Sequence, residues 1–291
     1  MLLTIRNEAL RLSVDTLGAQ MMHIQTADGC EYLWQGDPQY WPDRAPNLFP
    51  FIGRLTDNSY RYHGTKYSMG NHGFAAGAEF VLTEQAADKL VLTLSDSADT
   101  LAQYPFAFCL QITYQLRDNT ISISYRVENR DVQTMPFGIG GHPGFQVPLE
   151  EDLQFEDYRL EFSLSCEPDR VGFTPAVYLS GHDEAYPLEA GKILPLNHGL
   201  FDEDAIILKN MNREVKLCSD KSHRAVSITY PDMPYLGIWH WPKTDAPYVC
   251  IEPWTSLPSR QDVIEELSCK SDMIQLAPGG CYEAGWSITV E

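Results

Sequence analysis

Residues 109–129, CLQITYQLRDNTISISYRVEN, read as a β-hairpin. Two runs rich in Ile, Tyr, Val and Thr alternate apolar with polar residues, the period of a strand with one buried face. They flank Arg117-Asp118-Asn119, and Asp and Asn tolerate the left-handed backbone a tight turn needs. The same period-two pattern recurs outward in both directions. Toward the N-terminus it marks residues 2–7, 10–14, 21–26, 79–83 and 90–94; toward the C-terminus it marks 158–162, 205–208, 215–218, 225–230, 236–239, 248–251 and 287–290. Helical periodicity is scarce, and the best candidate is 261–267, about two turns after Pro258 and Ser259. The expected fold is therefore all-β: a large antiparallel β-sandwich, a single domain over residues 1–291.

Two long irregular stretches interrupt the strands. Residues 35–78 carry Pro38, Pro42, Pro46 and Pro50 with several glycines, and 163–204 is similarly broken by Pro, Gly and Asp. Loops of that length in a compact β domain commonly build a binding face. At 291 residues one large domain is as compatible with the length as two, and 44% apolar with 21% charged residues is ordinary globular composition. The net charge of -19 repels phosphate backbones and anionic lipid, so nucleic acid and membrane are not expected partners. The N-terminus lacks an apolar segment ahead of a cleavage site, and the seven scattered cysteines form no C-x-x-C pair. A cytoplasmic protein with reduced thiols is the expectation, with the oligomeric state left open.

Several chemistries lack their signatures. There is no G-x-x-x-x-G-K-[ST], no G-x-S-x-G and no H-E-x-x-H, and in Gly138-Ile139-Gly140-Gly141-His142-Pro143-Gly144 a proline spoils any dinucleotide fingerprint. The residues that remain are few. His142 sits among glycines where backbone can turn tightly beside a ligand, and an imidazole can donate a proton to a leaving oxygen; a surface-turn histidine is the bland alternative. Glu252 ends the apolar run Tyr248-Val249-Cys250-Ile251, a neighbourhood that raises a carboxyl pKa and suits it to acid/base work, unless it is merely solvated at a strand end. Arg54 follows an apolar loop and can fork two ligand oxygens, or form a surface ion pair. His72 precedes Gly73-Phe74; Asp204 is a loop carboxylate entering a strand, able to accept from sugar hydroxyls. Trp239 and Trp241 share a face if their strand stays extended, and indoles pack on the C–H face of a pyranose as readily as in a core.

The order of these segments resembles the aldose 1-epimerase (galactose mutarotase) family, in particular its bacterial lactose-operon-associated branch. The carriers are Leu33-Trp34-Gln35-Gly36, Asn47-Leu48-Phe49-Pro50-Phe51-Ile52-Gly53-Arg54, His72-Gly73-Phe74, His142-Pro143-Gly144-Phe145 and Cys250-Ile251-Glu252-Pro253-Trp254, collinear over nearly the whole chain. The resemblance implies a galactose-mutarotase-like sandwich with a sugar cleft and interconversion of the anomers of a free aldohexose, an isomerase activity. It implies Glu252 as the base that takes the anomeric hydroxyl proton, His142 as the acid that protonates the ring oxygen, and Arg54, His72, Asp204 and Trp239 as substrate-binding residues. No metal or other cofactor is implied. Ala76 stands where related branches often carry arginine, which disfavours hexose-6-phosphate 1-epimerase activity. His142 is followed by Pro143-Gly144-Phe145, unlike classical mutarotases, so the preferred aldose does not transfer. The rival readings are a non-catalytic carbohydrate-binding sandwich stacking sugars on Trp239, Trp241 and Trp254, and a glycoside hydrolase pairing Glu252 with Asp204.

Overall fold

The 109–129 hairpin lies inside the larger of the two main sheets. The computed structural model describes residues 1–291. Strands Phe108–Arg117 and Thr120–Asn129 pair antiparallel with Arg117 opposite Thr120, and Asp118 turns with φ 50°. Leu110, Ile112, Tyr114, Leu116, Ile121, Ile123, Tyr125 and Val127 point inward and are buried. The sheet has nine antiparallel strands, running from Ile193–Pro195 through Arg159–Phe162, Glu214–Cys218, Val226–Thr229, Cys281–Val290 and the hairpin to Lys89–Ser95 and Val81–Gln85.

The second sheet orders Glu184–Ala185, Asp169–Arg170, Ile206–Lys209, Tyr235–Trp239, Tyr248–Trp254, Gly140–Gly141 and Asn47–Leu48, with Gly144–Gln146 also paired to Tyr248–Trp254. A polar chain joins the edge strand Asn47–Leu48 of this sheet to the larger one. Trp286 Nε1 donates to Tyr125 Oη (3.1 Å), Tyr125 Oη donates to Asn47 Oδ1 (3.0 Å), and Asn47 Nδ2 donates to Tyr114 Oη (3.0 Å). All four side chains are buried, so each bond spares a polar group the cost of burial without a partner. The Trp286 ring also lies directly beneath Gly141, where a Cβ would come within 2.5 Å of it. The residue before His142 is thereby seated against the larger sheet. A third, three-stranded sheet of Leu2–Arg6, Leu10–Asp15 and Gln20–Thr26 adds to the same continuous core.

Several expectations from the sequence need correction. Residues 261–267 are turns and isolated bridges, not helix. A local ion pair and a long-range partner compete with the helical ladder there: Arg260 makes a bidentate pair with Glu265 (2.9 and 2.9 Å), and the Leu267 N–H donates to Arg61 O. The only α-helix is Ala98–Gln103, capped by Ser97, whose hydroxyl accepts from the Thr100 N–H. The strand expected to end at Ile251 continues through Glu252 and Pro253 to Trp254. The C-terminal strand starts at Cys281, well before residue 287. The stretches 35–78 and 163–204 contain short strands, among them Asn47–Leu48, Ser59–Tyr62, Thr65–Ser68 and Asp169–Arg170. All seven cysteines are free, and no helix is long and apolar enough to cross a membrane.

Candidate active site

Strand Tyr248–Trp254 is buried along its whole length, so both of its faces are covered. Side chains alternate across a strand. Val249 and Ile251 join the core between the sheets, whereas Tyr248 and Cys250 pack with Trp34 and Trp41, and Trp254 packs with Leu48 and Ile52, under the long loops. Glu252 lies on that loop-covered face and is 1% exposed. Its neighbour across the ladder is Gly237, where an added Cβ would lie 3.2 Å from the Glu252 Cβ, so the missing side chain leaves the carboxyl its space.

On its other side the strand meets a split partner. Ile251 N–H donates to Pro143 O (3.1 Å) and Thr255 N–H donates to Ile139 O (3.0 Å). Residue 253 faces the same way between them, and as proline it has no N–H to satisfy. At this gap Gly140–Gly141 and Gly144–Gln146 are separate strands, and His142, at the break, has its Nε2 3.1 Å from Glu252 Oε2. The contact lacks hydrogen-bond geometry: His142 Nδ1 and Glu252 Oε2 are both buried and unpartnered. Trp41 lies over the His142 ring with centroids 4.9 Å apart, Trp239 meets it edge-on at 5.7 Å, and His72 edge-on at 5.5 Å.

His72 is locked by the loop carrying Arg54. Gly53 N–H donates to His72 Nδ1 (3.1 Å) and His72 N–H donates to Gly53 O (3.0 Å). With Nδ1 an acceptor, the neutral ring carries its proton on Nε2. The pair of bonds needs Gly53 at φ +73°, packed so closely on Pro258 that a Cβ would come within 2.4 Å of its ring.

Around this centre is a cavity of about 540 Å³, of a size to hold a small molecule. Arg54, His72, His142, Asp204, Trp239 and Glu252 all line it. The loop stretches supply Trp41, Asp43 and Asn71 from one side and Phe173 and Val177 from the other, none of them singled out from the sequence. For Trp41 a signal existed, an indole in a proline-rich loop; Asp43 and Asn71 offered none. Trp241 lines the cavity too, but the strand ends at Trp239, and the two indoles meet edge-on at 6.0 Å instead of sharing a strand face.

The profile of the aldose 1-epimerase family matches residues 1–266. The chain belongs to that family. It is 34% identical to the chromosomal protein LacX of Lactococcus lactis subsp. lactis, over 100% of this chain and 99% of the relative. Among solved structures, a galactose mutarotase related enzyme from Lactobacillus acidophilus superposes with a TM-score of 0.95 at 33% identity, covering 100% of this chain and 97% of the other. A galactose mutarotase-like protein from Lactobacillus casei ATCC 334 gives 0.95 at 31% identity, covering both chains fully.

In this aldose 1-epimerase family member burial governs the site's electrostatics. It holds the Glu252 carboxyl well above the ordinary carboxylate range, reinforced by the Asp204 charge. It holds His142 well below the usual imidazole value, reinforced by His72. His72 is pushed down to about 4 by burial and then by Arg54. His240, between Trp239 and Trp241 in the chain, is also pushed down to about 4, chiefly by burial; its Nδ1 donates to Trp241 O (2.8 Å) and its Nε2 lies 3.1 Å from His198 Nδ1. Depressed imidazoles bind protons less readily in the folded chain than in the unfolded one, so they favour folding above the ordinary value of 6.5 and lose that advantage as the pH falls toward 4. The shifts of Glu252 and His142 run in opposite directions and so act against each other in the pH dependence of stability. Thermal denaturation is therefore expected at progressively lower temperature from pH 6.5 down to 4.5. A flat or rising midpoint over that range would contradict buried neutral His72 and His240.

The same centre also gathers metal-ligating groups. The ligating atoms of His142, Cys250 and Glu252 all lie within 4.8 Å of one another.

Proposed function

We propose that this protein is an aldose 1-epimerase that interconverts the α and β anomers of a free aldohexose by ring opening and reclosure. The observation that carries the reading is the His142–Glu252 pair, 3.1 Å apart on the buried side of the cavity. The anomeric hydroxyl and the ring oxygen are both bonded to C1, so a base for one and an acid for the other must stand side by side. Glu252 takes the hydroxyl proton as the C1–O5 bond breaks, and the departing electron pair on O5 receives the proton of His142. The open aldehyde rotates about C1–C2, and the reverse transfers close the ring on its other face. One proton serves the pair throughout: imidazolium and carboxylate before opening, imidazole and carboxyl after it.

Burial favours the neutral form of the pair and so favours the step that opens the ring. A sugar hydroxyl donating to Glu252 stabilises its carboxylate and moves the shared proton to His142 at the start of the cycle. His72 presents a fixed Nε2–H, Asp204 accepts from sugar hydroxyls, and Trp239 offers an apolar wall for the C–H face of the ring. Arg54 is the lone formal cation lining the cavity, against Asp43, Asp204 and Glu252, and Ala76 adds none. That balance supports a neutral sugar over a hexose 6-phosphate.

Polarimetry of freshly dissolved α-glucose and α-galactose tests the proposal: the protein should speed the approach to the equilibrium rotation, and no acceleration for any aldose would remove it. Arg54→Ala should mainly raise KM, because the guanidinium holds the ground-state sugar and stands apart from the proton pair. Steady-state polarimetry showing kcat collapse with KM unchanged would place Arg54 in the chemistry itself.

A further inference from the structure

We infer that His142, Cys250 and Glu252 form a binding site for a borderline-soft divalent cation of the zinc class, and that its occupancy switches the acid/base pair off. The inhibitory consequence rests on the epimerase reading; the binding does not.

Cys250 and Glu252 stand two residues apart on one face of strand Tyr248–Trp254, and the break in the neighbouring strand brings His142 in from the side. The three are buried, and their ligating atoms fall within 4.8 Å of one another. Glu252 Oε2, the atom that faces His142 Nε2, is buried and unpartnered in a residue 1% exposed. Such groups normally find partners, so a polar centre left open among them points to an absent ligand. The 3.1 Å between His142 Nε2 and Glu252 Oε2, poorly aligned for a hydrogen bond, approaches the bite of a metal site. A nitrogen and an oxygen held tetrahedrally by one zinc at about 2.0–2.1 Å lie roughly 3.3 Å apart.

The donor set chooses the metal. One imidazole, one thiolate and one carboxylate suit zinc or cobalt and are poor for magnesium or calcium, which prefer all-oxygen shells. Three protein donors leave a fourth position facing the cavity, for water or a sugar hydroxyl. Binding balances as a proton exchange: the Cys250 thiol gives up its proton to become thiolate, the His142–Glu252 pair gives up the one it shares, and both go to solvent. With both lone pairs engaged, neither residue can move a proton to or from a sugar. Trp34, Trp41 and Tyr248 pack about Cys250, so the cation's path in is the sugar cavity itself.

The test uses the full chain stripped of metal by chelator, then titrated with cobalt and with zinc. Cobalt should bind one per chain and give a thiolate-to-cobalt charge-transfer band that Cys250→Ala abolishes. By calorimetry, Cys250→Ala should weaken zinc at least tenfold, wild-type binding should release protons to buffer, and magnesium should not compete. Zinc should inhibit mutarotation reversibly, and Cys250→Ala should keep wild-type turnover while needing at least tenfold more zinc for inhibition. A cobalt complex without the thiolate band, or zinc affinity unchanged in folded Cys250→Ala, overturns the site. Because the wild-type spectrum is decisive alone, misfolding of the variant cannot rescue it. A thiolate band in a chain without mutarotation supports the site and defeats only the epimerase reading.

Discussion

Glu252→Gln is expected to lower kcat for anomer interconversion by about a hundredfold or more, with the fold retained. The two halves of that result have separate causes. The carboxyl is buried on the loop-covered face of a central strand, where burial already favours its neutral form. An amide of the same shape places no new charge and leaves no larger void, so the thermal midpoint should stay within about 2–4 °C of the wild type, a change of roughly 1 kcal/mol. An amide cannot accept the anomeric proton, and a positioned base contributes about 10²–10⁴ to a proton transfer. His142→Ala should lose a comparable factor by removing the acid, and the double variant should lose little more than either single one, since one proton passes between them. Polarimetric kcat and KM for the three variants check this. An unchanged kcat in Glu252→Gln would refute the assigned base.

The strands were legible because one face of each is buried and the other is not, and alternation survives wherever that holds, as in the 108–129 hairpin. It fails where both faces are covered. Tyr248–Trp254 reads as a plain apolar run that a charge terminates, so Glu252 looked like a strand end when it is a strand interior. The small helix Ala98–Gln103 went unread although Ser97 and Thr100 stand at capping spacing, because six residues are too few to show a period. The helix expected at 261–267 is overridden by Arg260–Glu265 and by bridges to Arg61, partners distant in sequence or bent away from the helical axis. Within the site, His142, Glu252, Arg54 and His72 could be singled out because chemistry and glycine-rich context marked them. Gly237, which makes room for Glu252, and Cys250, which shares its face, could not. Their importance arises from register across the sheet, and the sequence of a single strand carries none of it.

Methyl glycosides separate the epimerase from the hydrolase that the Glu252 and Asp204 carboxylates would otherwise allow. Both residues line the same cavity, and the Asp204 charge reaches Glu252 strongly enough to raise its pKa, so a two-carboxylate arrangement is a physical alternative. The two chemistries ask for different protons. Ring opening starts from the proton on the anomeric oxygen, and a methyl group in its place leaves Glu252 nothing to take. The ring, its other hydroxyls and its C–H face are unchanged, so the contacts to Arg54, His72, Asp204 and Trp239 remain available. A hydrolase would instead protonate the glycosidic oxygen and release methanol, with the second carboxylate activating water or holding the sugar covalently. The expected result with α- and β-methyl galactosides and glucosides is therefore competitive inhibition of mutarotation and no reducing sugar above the buffer rate. Reducing sugar that appears with the wild type and vanishes with Glu252→Gln would show that the carboxyl acts on the glycosidic bond, and the proposed ring-opening role would fall with it.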